Sequence, residues 1–190
     1  ITNELANRNI TANINEMYIG TFHSLCLRML KEHLEYTRLR RNYRLMDSFD
    51  QQYMVFQNIH RFRSIPEIEI VLPNGGAWKQ AETICNFVNN LSEELVSPEE
   101  LMSDHDPSIA SLGRMLQEYR TILTEANLMD FSSIQIEAYR LLCDNEGILN
   151  ELRSAITHIM VDEYQDTNYI QEQLVFLLAG ERKNICVVGD

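Results

Sequence analysis

Glycine is scarce in this chain, and its placement excludes a common phosphate-binding device. The seven glycines stand at 20, 75, 76, 113, 147, 180 and 189, and none is followed by lysine. A Gly-Lys-Ser/Thr loop, which cradles phosphates with backbone N–H groups and an ammonium, is therefore missing. Only four cysteines occur, Cys26, Cys85, Cys143 and Cys186, at spacings that match neither a paired zinc-ligand set nor a disulfide framework. Each lies in an apolar stretch and reads as a reduced, buried thiol. No apolar run approaches the roughly 20 residues a membrane helix needs, and no secretory leader pattern is visible. The expectation is a cytoplasmic chain with no membrane partner. Positive charge is also short, since 16 Lys and Arg face 28 Asp and Glu for a net −12, a poor fit to a protein that binds nucleic acid over its whole surface.

What is present supports a folded core and an uneven surface. With 190 residues, 45% of them hydrophobic, the chain suits one domain, or one domain plus part of another. Between residues 28 and 63, eight basic residues (Arg28, Lys31, Arg38, Arg40, Arg41, Arg44, Arg61, Arg63) face four acids, so this stretch carries +4 and the remainder −16. Such a stretch is either a solvated helix surface or a face that neutralises a nucleic-acid backbone.

Apolar residues recur at helical spacing through most of the middle of the chain. Cys26, Leu27, Leu30 and Leu34 form one stripe; Val55, Ile59 and Phe62 a second; Ala77, Ala81, Ile84, Val88 and Leu91 a third. Asp47 is placed to cap the second helix, and Ser97-Pro98-Glu99-Glu100 has the form of a capping box with proline in the first turn. Asp106-Pro107 opens a long segment carrying Ile109, Leu112, Leu116, Tyr119 and Leu123, and a further helix is predicted from about Asp130 to Cys143. Asn74-Gly75-Gly76 reads as a loop, and Trp78, the single tryptophan, as a helix-packing residue beside it. Strands are predicted near Tyr18–Phe22, His158–Asp162 and Ile185–Val188, with a helix from Asn168 to Ala179 joining the last two in a βαβ unit.

The most informative pattern lies near residue 160. The apolar run Ile159, Met160, Val161 ends in two adjacent carboxylates, Asp162 and Glu163, as expected of a buried parallel strand that delivers acids to the sheet edge where α/β proteins do their chemistry. Such a pair can hold Mg²⁺ and activate a water. The full string Asp162-Glu163-Tyr164-Gln165-Asp166-Thr167 resembles the Walker B box of superfamily 1 DNA helicases of the UvrD/Rep/PcrA type. About 140 residues earlier, Thr21-Phe22-His23-Ser24 resembles that family's T-F-H-S motif, which touches single-stranded DNA. Leu128-Met129-Asp130-Phe131 resembles its L-D-F-D-D-L segment, with Ser132 and Ser133 where carboxylates are common. Asn184 to Asp190 is similar to the strand that opens motif III, and Ile1 to Ala6 reads as either a degenerate motif Ia or the helix after it.

The resemblance implies a mainly α chain with a partial α/β, RecA-like portion: motor domain 1A over residues 1–24 and 156–190, and a helical, 1B-like insert over 25–155 between strands of an incomplete parallel sheet. It implies an internal fragment of an ATP-dependent helicase, moving 3′ to 5′, that uses ATP and Mg²⁺. Asp162 would hold the metal, Glu163 would be the catalytic base, and Gln165 and Asp166 would line the nucleotide. Thr21, Phe22, His23 and Ser24, with Arg40 and Arg41 beyond them, would contact DNA. Partners would be single-stranded DNA, duplex junctions and the rest of the motor, and the fragment alone would lack ATPase activity. The residues also admit blander readings: Asp166 as a helix N-terminal acid, Phe22 as core, and the chain as a non-catalytic DNA-binding or protein-docking module. A third reading is a metal-dependent nuclease using Asp162, Glu163 and Asp166.

Overall fold

A computed structural model describes residues 17–190, so the segment read as motif Ia or its following helix lies outside the described residues. Helices dominate. The first, α1 (Phe22–Glu32), begins where Thr21 accepts a hydrogen bond from the Ser24 N–H while the Ser24 hydroxyl returns one to the Thr21 carbonyl. The strand predicted for Tyr18–Phe22 is therefore not formed. Local capping bonds close a helix N-terminus there, and the run Tyr18-Ile19 pairs with no strand among the described residues.

Next come β1 (Arg44–Leu45), α2 (Ser48–Gln57), α3 (Ile59–Arg63), α4 (Ala77–Glu93), α5 (Pro98–Met102), α6 (Pro107–Ala126), β2 (Leu128–Met129), α7 (Phe131–Asp144) and α8 (Glu146–Ala155). The predicted starts at Asp47, Ser97 and Asp106 are in place, each side chain accepting from a first-turn N–H. At Ser97 the hydroxyl donates to Glu99 rather than completing a reciprocal box; the reciprocal box is found instead at Asp130 and Ser133. The stripe Val55-Ile59-Phe62 is split into α2 and α3 at Asn58, whose side-chain amide bonds the Met54 carbonyl. Between β1 and β2 runs a two-residue parallel pairing, Arg44 with Leu128 and Leu45 with Met129, too short to leave a period-2 signal.

The C-terminal part is the expected βαβ unit. β3 (Ile159–Val161) pairs in parallel with β4 (Ile185–Val187), Ile159 opposite Ile185 and Val161 opposite Val187, and α9 (Tyr169–Ala179) crosses between them from its cap at Asn168.

Two apolar clusters hold these elements. The first gathers Val55, Phe62, Ala81, Ile84, Met115 and Leu116 from α2, α3, α4 and α6. The second gathers Cys26, Met29 and Leu30 of α1, Ile134, Leu141 and Leu142 of α7, Leu149 and Leu152 of α8, and Leu174 of α9. Each fully buried aliphatic side chain contributes about 1.5–3 kcal/mol. Beside the first cluster lies a buried polar knot. The Gln51 amide nitrogen stands 2.8 Å from Asn89 Oδ1, 2.8 Å from the Tyr119 hydroxyl and 3.2 Å from Asp130 Oδ2, while the Tyr119 hydroxyl donates to the same Asp130 oxygen. Burial, then the Asp130 charge, drives the Tyr119 phenol pKa well above its ordinary value. Asp130 also accepts from the Ser133 N–H at 2.7 Å, so one carboxylate caps α7 and closes the knot.

Removing that carboxylate strands the Gln51 amide and the Tyr119 hydroxyl and uncaps α7. Asp130→Ala is expected to destabilise the fold by about 2–4 kcal/mol, against about 1 kcal/mol for an exposed cap such as Asp106→Ala. Urea denaturation of the two variants checks the difference.

Candidate nucleotide and DNA sites

The two acids stand where β3 ends. Val161 is buried, Asp162 and Glu163 are exposed, and the chain turns at Glu163 with a left-handed φ of 52°. A non-glycine residue holds that conformation at a cost of about 1–3 kcal/mol, supplied by the bonds around it. The Glu163 N–H donates to Asp162 Oδ1 at 3.1 Å, and Gln165 Nε2 donates to Glu163 Oε2 at 2.6 Å. The Tyr164 N–H reaches the Val188 carbonyl at 2.9 Å, and the Val188 N–H reaches the Val161 carbonyl at 2.9 Å, so the turn hangs on the end of β4. Gly189 packs against Gln165 so closely that a Cβ there would lie 2.3 Å from its Oε1. The Tyr164 hydroxyl donates to Glu172 at 2.6 Å, which with burial raises its pKa.

Asp166 closes the short 3₁₀ turn Tyr164–Asp166, its side chain exposed. The N-cap of α9 is Asn168 rather than Asp166. Among the described residues no three His, Cys, Asp or Glu side chains converge into an all-protein metal cage. Two adjacent carboxylates suit Mg²⁺, which keeps waters and takes its other ligands from phosphates. The donor set thus fits Mg²⁺ held with a nucleotide.

The T-F-H-S residues form the first turn of α1. Thr21 and Ser24 are exposed but engaged in the cap, and Phe22 is half-buried. His23 is held by two residues that the sequence reading missed. Gln135 Nε2 lies 2.7 Å from His23 Nε2, and the Phe131 ring stands edge-on to the imidazole, centroids 5.3 Å apart at 82°. With the amide as donor, Nε2 accepts and the ring proton sits on Nδ1. Burial lowers the His23 pKa, opposed by Glu93. Phe131 and Gln135 are four apart on α7, a spacing that shares a helix face and was the available signal.

The basic stretch does not form one face. Arg28 pairs with Glu32 at 2.8 Å and lies over the Tyr18 ring, Arg61 bonds Glu118 and Glu125, and Arg63 bonds Gln80. Among the described residues Lys31, Arg38, Arg40, Arg41 and Arg44 make no ion pair, and Lys31, Arg40 and Arg41 line an open hollow of about 560 Å³ with Leu34, Glu35, Thr37 and Leu39. The acidic turn and the α1 turn share no hydrogen bond among the described residues; what joins them is the second apolar cluster, through Leu174 and the Cys26-Met29-Leu30 face.

Since the folded-state pKa of His23 lies below the ordinary 6.5, the unfolded chain takes up the proton first as pH falls. Its contribution to stability is intact above that value and is lost as pH drops from 6.5 towards the folded pKa. His23→Gln is therefore expected to narrow the difference in unfolding free energy between about pH 7.5 and about pH 5.5, measured by chemical denaturation.

A family profile described as UvrD/REP helicase N-terminal domain matches residues 1–190. DNA helicase II of Haemophilus influenzae is 32% identical over 176 residues, and DNA helicase II of Salmonella typhimurium is 30% identical over 174; each alignment covers 92% of this chain and 23% of the relative. ATP-dependent DNA helicase PcrA of Staphylococcus epidermidis is 30% identical over 180 residues, again 92% of this chain and 23% of the relative. The chain thus spans about a quarter of the length of these relatives. With its acidic strand end and its capped T-F-H-S turn, this chain belongs to the UvrD/Rep family of DNA helicases.

Proposed function

We propose that the chain is part of the first motor domain of an ATP-driven DNA translocase, moving 3′ to 5′ on single strands and opening duplex junctions. Residues 17–24 and 156–190 contribute to the RecA-like portion, and 25–155 form the helical insert. The observation that carries this reading is the Asp162-Glu163 pair at the end of a parallel strand, with Glu163 fixed by Gln165. The relatives' names, DNA helicase II and ATP-dependent DNA helicase, support it.

Asp162 would hold Mg²⁺, and the ion, when bound, would supply neutralisation of the phosphate charge. Glu163 orients the attacking water and takes its proton; with Oε2 occupied by Gln165, Oε1 is the oxygen free for that transfer. Gln165 is a positioning residue for the base, and Asp166, exposed on the same turn, would line the nucleotide. For DNA, the half-buried Phe22 offers its ring for stacking, neutral His23 donates from Nδ1 to a phosphate or sugar, and Thr21 and Ser24 present the turn. Arg40 and Arg41 with Lys31 neutralise the backbone beyond it. Stacking on a ring is indifferent to base identity, which suits a motor that must cross any sequence.

A nuclease reading needs a third converging acid or histidine. Asp166 does not join Asp162 and Glu163 in such a group, which favours the motor. The non-catalytic docking module remains the alternative that the tests below separate.

In the full-length parent, Glu163→Gln is expected to lower DNA-stimulated ATP turnover by about 10²- to 10⁴-fold, the usual worth of a general base. Turnover unaffected by the substitution would reduce the acid pair to a structural role and favour the docking module. The isolated chain, with no Gly-Lys sequence, is expected to turn over no ATP. Replacing Arg40 and Arg41 with Ala should weaken binding to an oligo-dT strand and shallow its log-affinity against log-salt slope by about 1–2, whereas Phe22→Ala should weaken binding with the slope unchanged. Fluorescence anisotropy at several salt concentrations reads both.

A further inference from the structure

The helical part carries an exposed aromatic surface that neither candidate site uses. Phe49, Tyr53 and Phe56 occupy positions i, i+4 and i+7 of α2, on the face opposite the buried Gln51, Met54 and Val55. Trp78, in the first turn of α4, completes the group. Trp78, expected as a helix-packing residue, does meet Phe49 and Phe56 of α2, yet it stays 40% exposed, beside Phe49 at 64%, Tyr53 at 45% and Phe56 at 37%.

The rings form a connected surface. Phe49 and Tyr53 are nearly parallel, 3° apart with centroids at 6.3 Å, and Tyr53 and Phe56 lie 6.4 Å apart. Trp78 bridges the ends of the row, 6.0 Å from Phe49 and 5.5 Å edge-on from Phe56. The Gln52 amide donates to the Trp78 carbonyl at 3.3 Å and ties the two helices beneath the rings. Four mutually packed rings left in water give a pre-ordered anchor surface of the composition that dominates protein interfaces.

The rim identifies the chemistry of what it fits. Over the α2 segment 47–57 and the first turns of α4, 76–83, the charged residues are Asp47, Asp50 and Glu82 against Lys79 alone. Nearby Arg63 is engaged by Gln80, which points away from Trp78 around α4. With three acids against one lysine this rim lacks the positive charge that neutralises a phosphate backbone, which disfavours a nucleic-acid strand and favours a cationic partner. We propose that this face docks a basic amphipathic helix of a partner protein, with apolar residues laid along the row Phe49-Tyr53-Phe56 and Lys or Arg set against Asp47, Asp50 and Glu82.

Trp78, as the single tryptophan, reports on the surface directly. The full chain is titrated, by tryptophan emission, with a synthetic amphipathic Leu/Lys helical peptide, with a Leu/Glu peptide of the same pattern, and with oligo-dT; the chain alone is also followed over a concentration series. The expected result is a saturable blue shift with the Leu/Lys peptide, little or none with the others, at least tenfold weaker binding in Asp50→Lys/Glu82→Lys, and loss of the shift in Phe49→Ser/Tyr53→Ser. Thermal unfolding of the Ser variant should match that of the unmodified chain, because both rings are exposed. Equal response to the Leu/Glu peptide, or peptide binding that survives the Ser substitutions, overturns the proposal. No response to either peptide also overturns it. A response to oligo-dT alone reassigns the face to nucleic acid, and a shift that depends only on protein concentration reassigns it to a second copy of the chain.

Discussion

The buried carboxylate of Asp130 is the constraint on which most of the structure depends. A carboxyl group in a low-dielectric interior is costly unless it is hydrogen-bonded, and here both oxygens are engaged, by groups from three directions: the Gln51 amide from α2, the Tyr119 hydroxyl from α6 and the Ser133 N–H from α7. That one group fixes where α7 starts and how it sits against α2 and α6. Because Phe131 and Gln135 follow on the same helix, it also fixes the two residues that hold His23. The candidate DNA turn is thus oriented by a polar knot whose far members lie on α2, α4 and α6.

The second apolar cluster performs the complementary task. It takes α1 on one side and α9 on the other, so the helix that begins with the T-F-H-S residues and the helix that follows the acidic turn rest on a common floor of α7 and α8 side chains. Close-packed interiors transmit displacement rather than absorb it. Any rearrangement of the acidic turn that shifts α9 is felt at Leu174 and, through the shared packing, at Cys26, Met29 and Leu30.

What could be read in advance followed from how local the signal was. Caps at Asp47, Ser97 and Asp106 and the acid-terminated strand at Ile159–Val161 were legible because a few neighbouring residues determine them. The strand expected at Tyr18–Phe22 was misread because a β-branched and aromatic run looks extended until the Thr21 and Ser24 hydroxyls are allowed to cap. The pairing of β1 with β2, the Gln135–His23 contact and the Gln51–Asp130 bond span 84, 112 and 79 residues, and no local pattern encodes them. For Trp78 the packing role was legible but the 40% exposure was not, because helical spacing gives a residue's face but not how far a neighbouring helix covers it. In the candidate site, the identity of the acids was visible, while the left-handed turn at Glu163 and its tether to Gln165 were not.

The suspension of the acidic turn from β4 has a consequence for folding order. Tyr164 takes its backbone partner from Val188, and Gln165, which holds Glu163, is packed against Gly189. The geometry of the acidic turn is therefore written about 25 residues downstream of Glu163 itself, across a complete βαβ crossover. Contacts of that sequence separation close late, after the entropy of the intervening loop has been overcome. The turn at Glu163 therefore depends on the end of β4 for its backbone partner and for the packing of Gln165. The arrangement of the acid pair is withheld until the paired end of β4 is in place.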